Sequence, residues 1–211
     1  MYIEAVILTK SYKNSGYCVA GINLKTGQWV RFVSDDTFNH GAISEADMRY
    51  DISSSCEPFD IVRVSVVRHQ PISLQPENFL IQKGVAWVKL GSMSIDQVLH
   101  LHPAETSPYI FVNNWSALSQ DEVCDIDRSL MLVKVNMLTI NHMFQGEPTS
   151  GKCSFMYRSN QYNFMSVTDP NYRYTGPTNY IGNAYLVVSL PDAPDKSKGS
   201  FYKCVSKIIP I

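Results

Sequence analysis

The 211-residue chain lacks most of the features that mark a particular chemistry. Glycine-rich phosphate-binding loops are absent, and the five cysteines are odd in number, widely spaced and never arranged as Cys-x-x-Cys. This spacing argues against a disulfide framework or a zinc knuckle, so we expect free thiols, a reducing compartment and no metal or cofactor. The N-terminal apolar run contains Glu4 and has no basic residue before it, unlike a signal peptide. Because the apolar runs are also too short to cross a bilayer, the sequence predicts a cytoplasmic protein with no membrane partner.

Charge is balanced overall but uneven along the chain. The net charge of −1 gives no general attraction to polyanions and argues against a strongly basic nucleic-acid-binding protein. Residues 1–34 carry four bases and one acid, residues 35–60 carry seven acids and one base, and residues 128–173 carry five bases and two acids. Basic, strand-rich segments therefore alternate with acidic connectors. Two interpretations remain open: ordinary solvated surface, or basic faces that meet a ligand.

The first half of the sequence is dominated by strand-like patterns. Alternating and β-branched residues, with turn residues between them, predict five strands and two short helices. In order these are strands at Tyr2–Leu8, Tyr17–Asn23 and Gln28–Ser34, a helix at Ser44–Tyr50, strands at Ile61–Arg68 and Val85–Leu90, and a helix at Ser94–Leu101. A polar turn at 10–16 separates the first two strands, and Lys25-Thr26-Gly27 closes the second hairpin.

The second half repeats this order. The predicted elements are a strand at Leu130–Ile140, a polar turn at 145–151, a hairpin of Lys152–Arg158 and Gln161–Val167, and strands at Ala184–Leu190 and Phe201–Ile209. Each third strand ends in Val, a hydroxyl residue and Asp, at 33–35 and at 167–169. Between the halves, residues 101–127 contain prolines, five acids and a helical pattern at Ser116–Cys124.

Five strands with a helix or loop between the third and fourth is the plan of an OB-fold. The sequence therefore predicts a mainly β protein made of two tandem OB-like five-stranded barrels with short helices in the connector. The first barrel is predicted at residues 1–100 and the second at 128–211. An acidic, partly helical linker is predicted at 101–127.

The same segments carry a family resemblance. Ile7–Lys13, Tyr17–Gly21 and Gly27–Arg31 resemble the opening of the bacterial dual OB-fold domain family, and Thr168–Tyr172 with Val188–Lys203 resemble its second half. The resemblance implies a tandem pair of OB folds, no established enzymatic activity, and a role with nucleic acid in bacterial or phage conflict. One departure is Cys204, where we expect a more uniformly aliphatic last strand.

Candidate catalytic and metal-binding groups each have an ordinary explanation. His100-x-His102 has the spacing of a metal pair on a strand, but here it ends a predicted helix. Asp35 and Asp169 follow strands, where an Asp holds a metal or caps the next backbone amide. Cys56 has no motif that pairs it with a histidine base. The sequence therefore favours a non-enzymatic protein.

Aromatic and basic side chains give the strongest functional signal. OB-folds bind single strands by stacking bases on the face of the second and third strands, beside basic residues. Alternation places Trp29 and Arg31 on one face of a strand, where they line a binding groove or form a cation–π pair in the wall of a barrel. The predicted nucleic-acid-binding residues are Lys10, Tyr12, Lys13, Trp29, Arg31, Tyr157, Arg158, Tyr162 and Tyr172.

Two functions follow from this pattern. In the first, the protein recognises single-stranded DNA or RNA, or a nucleotide, through a basic and aromatic OB-fold face. In the second, it is a protein-interaction or regulatory subunit that uses a tyrosine-rich loop surface around Tyr172, Tyr174 and Tyr180, since tyrosine is favoured at interfaces. Binding to nucleic acid weakens as salt rises, which separates the two.

Overall fold

A computed structural model describes residues 1–13, 15–36, 39–141, 151–172 and 178–211. Within these ranges the chain forms thirteen strands, one α-helix and three 3₁₀ helices, which confirms the prediction of a mainly β protein. The polar turn predicted at 145–151 lies outside the described residues except for Gly151, and Asn14, His142 and Tyr174 lie outside them too. No helix in the described ranges has the length and apolar character that a membrane span requires.

The chain divides into two compact units, Met1–Pro103 and Ala104–Ile211. The domain boundaries at residues 100 and 128 stay a prediction from sequence. Each unit contains a set of five strands in the same order, and each is described separately below.

The first unit is built mainly from strands. Its elements are β1 (Tyr2–Lys13), β2 (Gly16–Asn23), β3 (Trp29–Val33), a 3₁₀ helix (Glu45–Met48), β4 (Asp60–His69), β5 (Asn78–Ile81), β6 (Val88–Ser92) and α1 (Ile95–Leu101). Neighbouring strands follow the order β1-β2-β3-β5-β4, and β4 also pairs with β1, so the sheet returns to its first strand. The β3–β5 pair is parallel, while β6 extends the sheet beyond β4. Strands β1 and β2 approach closely at Gly21, where a Cβ atom would lie 2.0 Å from the carbonyl oxygen of Val6.

Two predictions for this unit are corrected by the structure. The strand beside β3 is β5, which the sequence pattern missed; the predicted strand at Val85–Leu90 corresponds to β6, on the other side of β4. With only four residues, β5 is too short for an alternating pattern to stand out. The helix predicted at Ser44–Tyr50 is a single 3₁₀ turn, although Ser44 and Asp47 form the expected capping box.

The second unit contains a closed five-stranded barrel. Its elements are β7 (Ala117–Leu118), a 3₁₀ helix (Glu122–Asp125), β8 (Leu130–Asn141), β9 (Lys152–Tyr157), β10 (Asn160–Val167), a 3₁₀ helix (Pro170–Tyr172), β11 (Thr178–Ser189), β12 (Phe201–Tyr202) and β13 (Cys204–Pro210). The barrel order is β10-β13-β11-β8-β9, and β10 pairs in parallel with β13. This matches the strand order of the first unit and confirms the predicted second barrel. Cys204 begins β13, so the departure from an aliphatic pattern does not prevent the last strand from forming.

The segment before β8 packs against this barrel. Ile110 belongs to the same apolar core as Phe155 and Leu186. The Tyr162 hydroxyl accepts a hydrogen bond from the Ile110 amide and donates one to the Asn113 carbonyl. The helix predicted at Ser116–Cys124 is wrong: Ala117–Leu118 pairs with β12, and a 3₁₀ turn follows.

Candidate functional site

Trp29 and Arg31 share the outer face of β3, as alternation predicted, because Val30 and Phe32 point into the core. That face is covered. Trp29 is 9% exposed and packs edge-on against the His102 ring, with 5.3 Å between ring centroids. Arg31 is 3% exposed, and its Nε lies 3.4 Å from Glu77 Oε1. Contrary to the prediction, neither residue faces an open groove in this structure.

The basic turn of the first unit is also engaged internally. Lys10 is buried, and its Nζ lies 3.1 Å from Glu45 Oε1 and 2.8 Å from Glu57 Oε1. Lys13 donates a hydrogen bond to the His40 carbonyl oxygen. Because two carboxylates balance the single Lys10 ammonium, the described residues of this turn do not form a basic groove around Lys10.

Two predicted tyrosines of the second unit are core residues. Tyr157 and Tyr162 are fully buried, with their rings inside the barrel. The Tyr157 hydroxyl lies 2.7 Å from the carbonyl oxygen of Ser107, to which it donates a hydrogen bond. Their polar ends therefore hold the segment before β8, which explains why a buried barrel core tolerates two hydroxyls.

The remaining predicted residues differ in exposure. Tyr172 is half-buried against the core of the second unit, and Tyr12 stacks on Tyr17 with 5.2 Å between ring centroids. Arg158 is exposed in the turn between β9 and β10. Of the nine predicted residues, only Tyr12 and Arg158 are exposed.

The candidate metal ligands have structural partners. His100 and His102 each direct Nδ1 at a backbone carbonyl, of Asp96 and Gly27 respectively. Asp169 is buried, lies 3.2 Å from Lys207 Nζ and accepts a hydrogen bond from the Ile208 amide. The described residues contain no group of three His, Cys, Asp or Glu side chains arranged to hold a metal ion.

The most exposed aromatic residue in the strands β8, β9 and β10 is one that the sequence did not indicate. A bulge in β10 falls between Tyr162 and Met165, which both point into the barrel. It therefore turns Asn163 and Phe164 outward together. Phe164 is 61% exposed, and its backbone φ is 56°, a left-handed conformation that is rare for a bulky residue.

Strand β8, which pairs with the other edge of β9, contains a similar bulge. Its bulge lies between Asn136 and Thr139, and Met137 within it has φ of 54° and is 62% exposed. A left-handed conformation at a non-glycine residue costs about 1–3 kcal/mol. Residues with such strain cluster at functional sites, where the surrounding fold holds them in place. Two bulges thus expose two large apolar side chains on adjoining parts of one barrel wall.

We define the β9–β10 face as the outward-facing residues of these two strands: Lys152, Ser154, Met156, Gln161, Asn163, Phe164 and Ser166. Cys153, Phe155 and Tyr157 alternate with them and point inward. Lys152 lies along the face, because its Nζ donates a hydrogen bond of 2.7 Å to Ser166 Oγ. Gln161 Nε2 donates to Asn163 Oδ1 at 3.1 Å. The face therefore combines one exposed aromatic ring with amides, hydroxyls and a cation.

The strands of this barrel carry basic side chains but no acidic ones. The five barrel strands β8, β9, β10, β11 and β13 contain no Asp or Glu. Lys134 on β8 and Lys152 on β9 are basic, and Arg158 lies in the turn that follows β9. The wall is therefore locally positive although the whole chain has a net charge of −1.

Comparison with known proteins supplies the family but no activity. No curated protein matches the chain in sequence. A solved structure described as a murine DNA-binding protein bound with double-stranded DNA aligns over 100% of both chains, with 8% identity and a TM-score of 0.34. A similarity this low carries no argument about function. A family model described as the dual OB-containing domain matches residues 3–208, nearly the whole chain. The chain therefore belongs to the dual OB-containing domain family.

Proposed function

We propose that the protein binds single-stranded nucleic acid on the β9–β10 face of its second unit. The observation that carries the proposal is Phe164, which a strained bulge holds 61% exposed on a wall whose strands contain no acid. In OB-folds, the second and third strands of the barrel form the oligonucleotide-binding face. Strands β9 and β10 hold these positions here.

The residues of this face fit the chemistry of an unpaired strand. Bases stack on aromatic side chains without regard to sequence, because every base has a π face. Lys152 and Arg158 lie within reach of a backbone that follows β9, and each provides a positive charge for a phosphate. The amides of Gln161 and Asn163 add donors and acceptors for base edges. In the first unit the predicted residues Trp29 and Arg31 are covered, so the proposal is confined to the second unit.

The exposed apolar side chains of this barrel favour a second candidate function, binding to another protein. Met137, Phe164 and Tyr180 are each more than 60% exposed and belong to the strands of one barrel. Aromatic residues and methionine are enriched at protein interfaces. The tyrosine-rich loop that the sequence predicted for this role is represented by Tyr172, which is half-buried, and Tyr180, since Tyr174 lies outside the described residues.

Substitution of Phe164 by Ala tests the proposal directly. Binding of a fluorescein-labelled oligothymidylate of about 12 nucleotides is measured by anisotropy. Loss of one stacking platform should weaken binding by about 5- to 150-fold, which corresponds to about 1–3 kcal/mol. Lys152→Gln should flatten the dependence of log affinity on log salt by about 0.7, the expected loss for one phosphate contact with a single strand.

Trp115→Ala is the matched control. Trp115 is 72% exposed and belongs to the same unit, but it lies in the segment before β8. Its removal should leave oligonucleotide affinity unchanged. Equal losses in the two variants would refute specific stacking at Phe164. Absence of any binding by the unsubstituted protein at low salt would refute the proposed function, and salt-independent capture of a protein through Phe164 would support the second candidate.

A further inference from the structure

We infer that a cavity at one end of the β9–β10 face holds the phosphorylated terminus of the bound strand, an inference that rests on the proposed function. The cavity has a volume of about 490 Å³ and lies entirely within the second unit. This is within the range of about 300–1,000 Å³ that is usual for small-molecule sites. Its walls include Glu105, Lys134, Asn136, Tyr157, Arg158 and Asn183.

Two cations line this cavity. Within the described residues, neither Lys134 nor Arg158 forms an ion pair with an acid; Lys134 Nζ lies 5.7 Å from the centroid of the Tyr185 ring. The acidic residue of the wall, Glu105, is engaged by Arg128, with 3.2 Å between Arg128 Nη1 and Glu105 Oε1. The lining therefore has an excess of positive charge available to an anion.

The cavity adjoins the proposed binding face. Asn136 in its wall pairs directly with Met156 of the face, and Arg158 immediately follows the last residue of β9. From Ser154, which accepts a hydrogen bond from the Phe164 amide, four residues lead to Arg158. At about 3.3 Å per residue this distance is about 13 Å, a span of a few nucleotides. A strand stacked on Phe164 that follows β9 thus reaches the cavity.

The backbone segment 104–106 forms the wall of the cavity next to the end of β9. The Tyr157 hydroxyl donates to the carbonyl oxygen of Ser107 at 2.7 Å and lies 3.2 Å from that of Glu105, so this segment is held beside the last residue of β9. A terminus fits this arrangement better than an internal nucleotide, which needs an exit. A terminal phosphate monoester carries a charge of about −1.5 to −2 at neutral pH, against about −1 for an internal diester. Two cations match the terminal group.

Three labelled oligothymidylates of equal length test this inference: one with a 5′ phosphate, one with a 3′ phosphate and one with neither. We expect one phosphorylated probe to bind about tenfold more tightly than the unphosphorylated one at low salt. The variant Lys134→Gln/Arg158→Gln should abolish this preference. Lys196→Gln, which removes a cation from an exposed position of the same unit, should retain it. Phe164→Ala should weaken all three probes alike.

The outcomes separate this inference from the proposed function. Equal affinity for the three probes, or a preference that survives in the double variant, overturns terminal recognition while leaving strand binding intact. Failure of all three probes to bind overturns both. Thermal melts of each variant, monitored by circular dichroism, establish that the exposed substitutions leave the fold unchanged.

Discussion

Lys203 provides the sharpest prediction about stability. Its side chain is 1% exposed, and Nζ donates to the backbone and side-chain oxygens of Asn113, both at 2.8 Å. The ammonium also lies 5.4 Å from the centroid of the Tyr162 ring. Burial lowers the pKa of Lys203 to about 7, and the nearby Glu122 carboxylate opposes this only in part.

The direction of the pH effect follows from this lowered pKa. In the unfolded chain Lys203 has its ordinary pKa of 10.5, so between pH 7 and pH 10.5 the unfolded state binds more protons than the folded state. The free energy of unfolding therefore rises with pH across this window. The contribution of Lys203 should increase by about 2 kcal/mol from pH 7 to pH 9, given about 1.36 kcal/mol for each pKa unit. Below pH 7 it should be nearly constant.

Lys203→Met isolates this contribution. The variant keeps an unbranched side chain of similar length but cannot titrate, although it leaves the Asn113 oxygens without their donor. Urea denaturation at pH 7 and pH 9 gives the difference in unfolding free energy between the two proteins. Burial also raises the pKa values of Cys56 and Cys153, so above about pH 8.5 these thiols lower the free energy of unfolding and oppose the gain from Lys203. Both proteins contain these thiols, so their effect cancels in the difference. If the free energies of unfolding of the two proteins changed by the same amount between pH 7 and pH 9, the reasoning would be refuted.

Two further predictions concern packing and thiols. Trp29→Ala should lower the free energy of unfolding of the first unit by about 3–5 kcal/mol in urea denaturation, because removal of a buried ring leaves a cavity. The control Trp115→Ala should lower it by less than about 0.5 kcal/mol. Similar losses in the two variants would contradict burial of Trp29. The denatured, unreduced protein should react with a thiol reagent at all five cysteines. In the folded protein the exposed Cys124 should react first, and Cys56 and Cys153 should react only on unfolding; early reaction of either would contradict their burial.

Local sequence patterns predicted most strands of both barrels. The turn at Lys25–Gly27 illustrates why: Gly27 has φ of 68°, a conformation that glycine adopts easily, and it separates two alternating runs. The helical segments predicted to start at Ser44 and Ser94 likewise begin there, and each serine is the N-cap. In each case a few adjacent residues contain all the information that the local structure needs.

The binding residues could not be predicted in the same way, because their exposure depends on distant contacts or on a change of register. Alternation gave the correct face for Trp29, but its cover is His102, 73 residues further along the chain. Tyr162 and Phe164 are two residues apart, which regular alternation places on one face of a strand; the bulge puts them on opposite sides of the wall. The available clue was the adjacent apolar pair Phe164 and Met165, which interrupts the alternation of polar and aromatic residues at 161–164.

The parallel pairing of β10 with β13 has a consequence for the order of folding. The β9–β10 hairpin needs only a two-residue turn, and hairpins form in about 1–10 μs. The β10–β13 contact joins Val167 to Val205, so a long loop must close before that pair gains any stabilisation. Closure of the second barrel should therefore be its slow step. Until it occurs, the open edge of β10 is available to another chain, and refolding yield should fall as protein concentration rises.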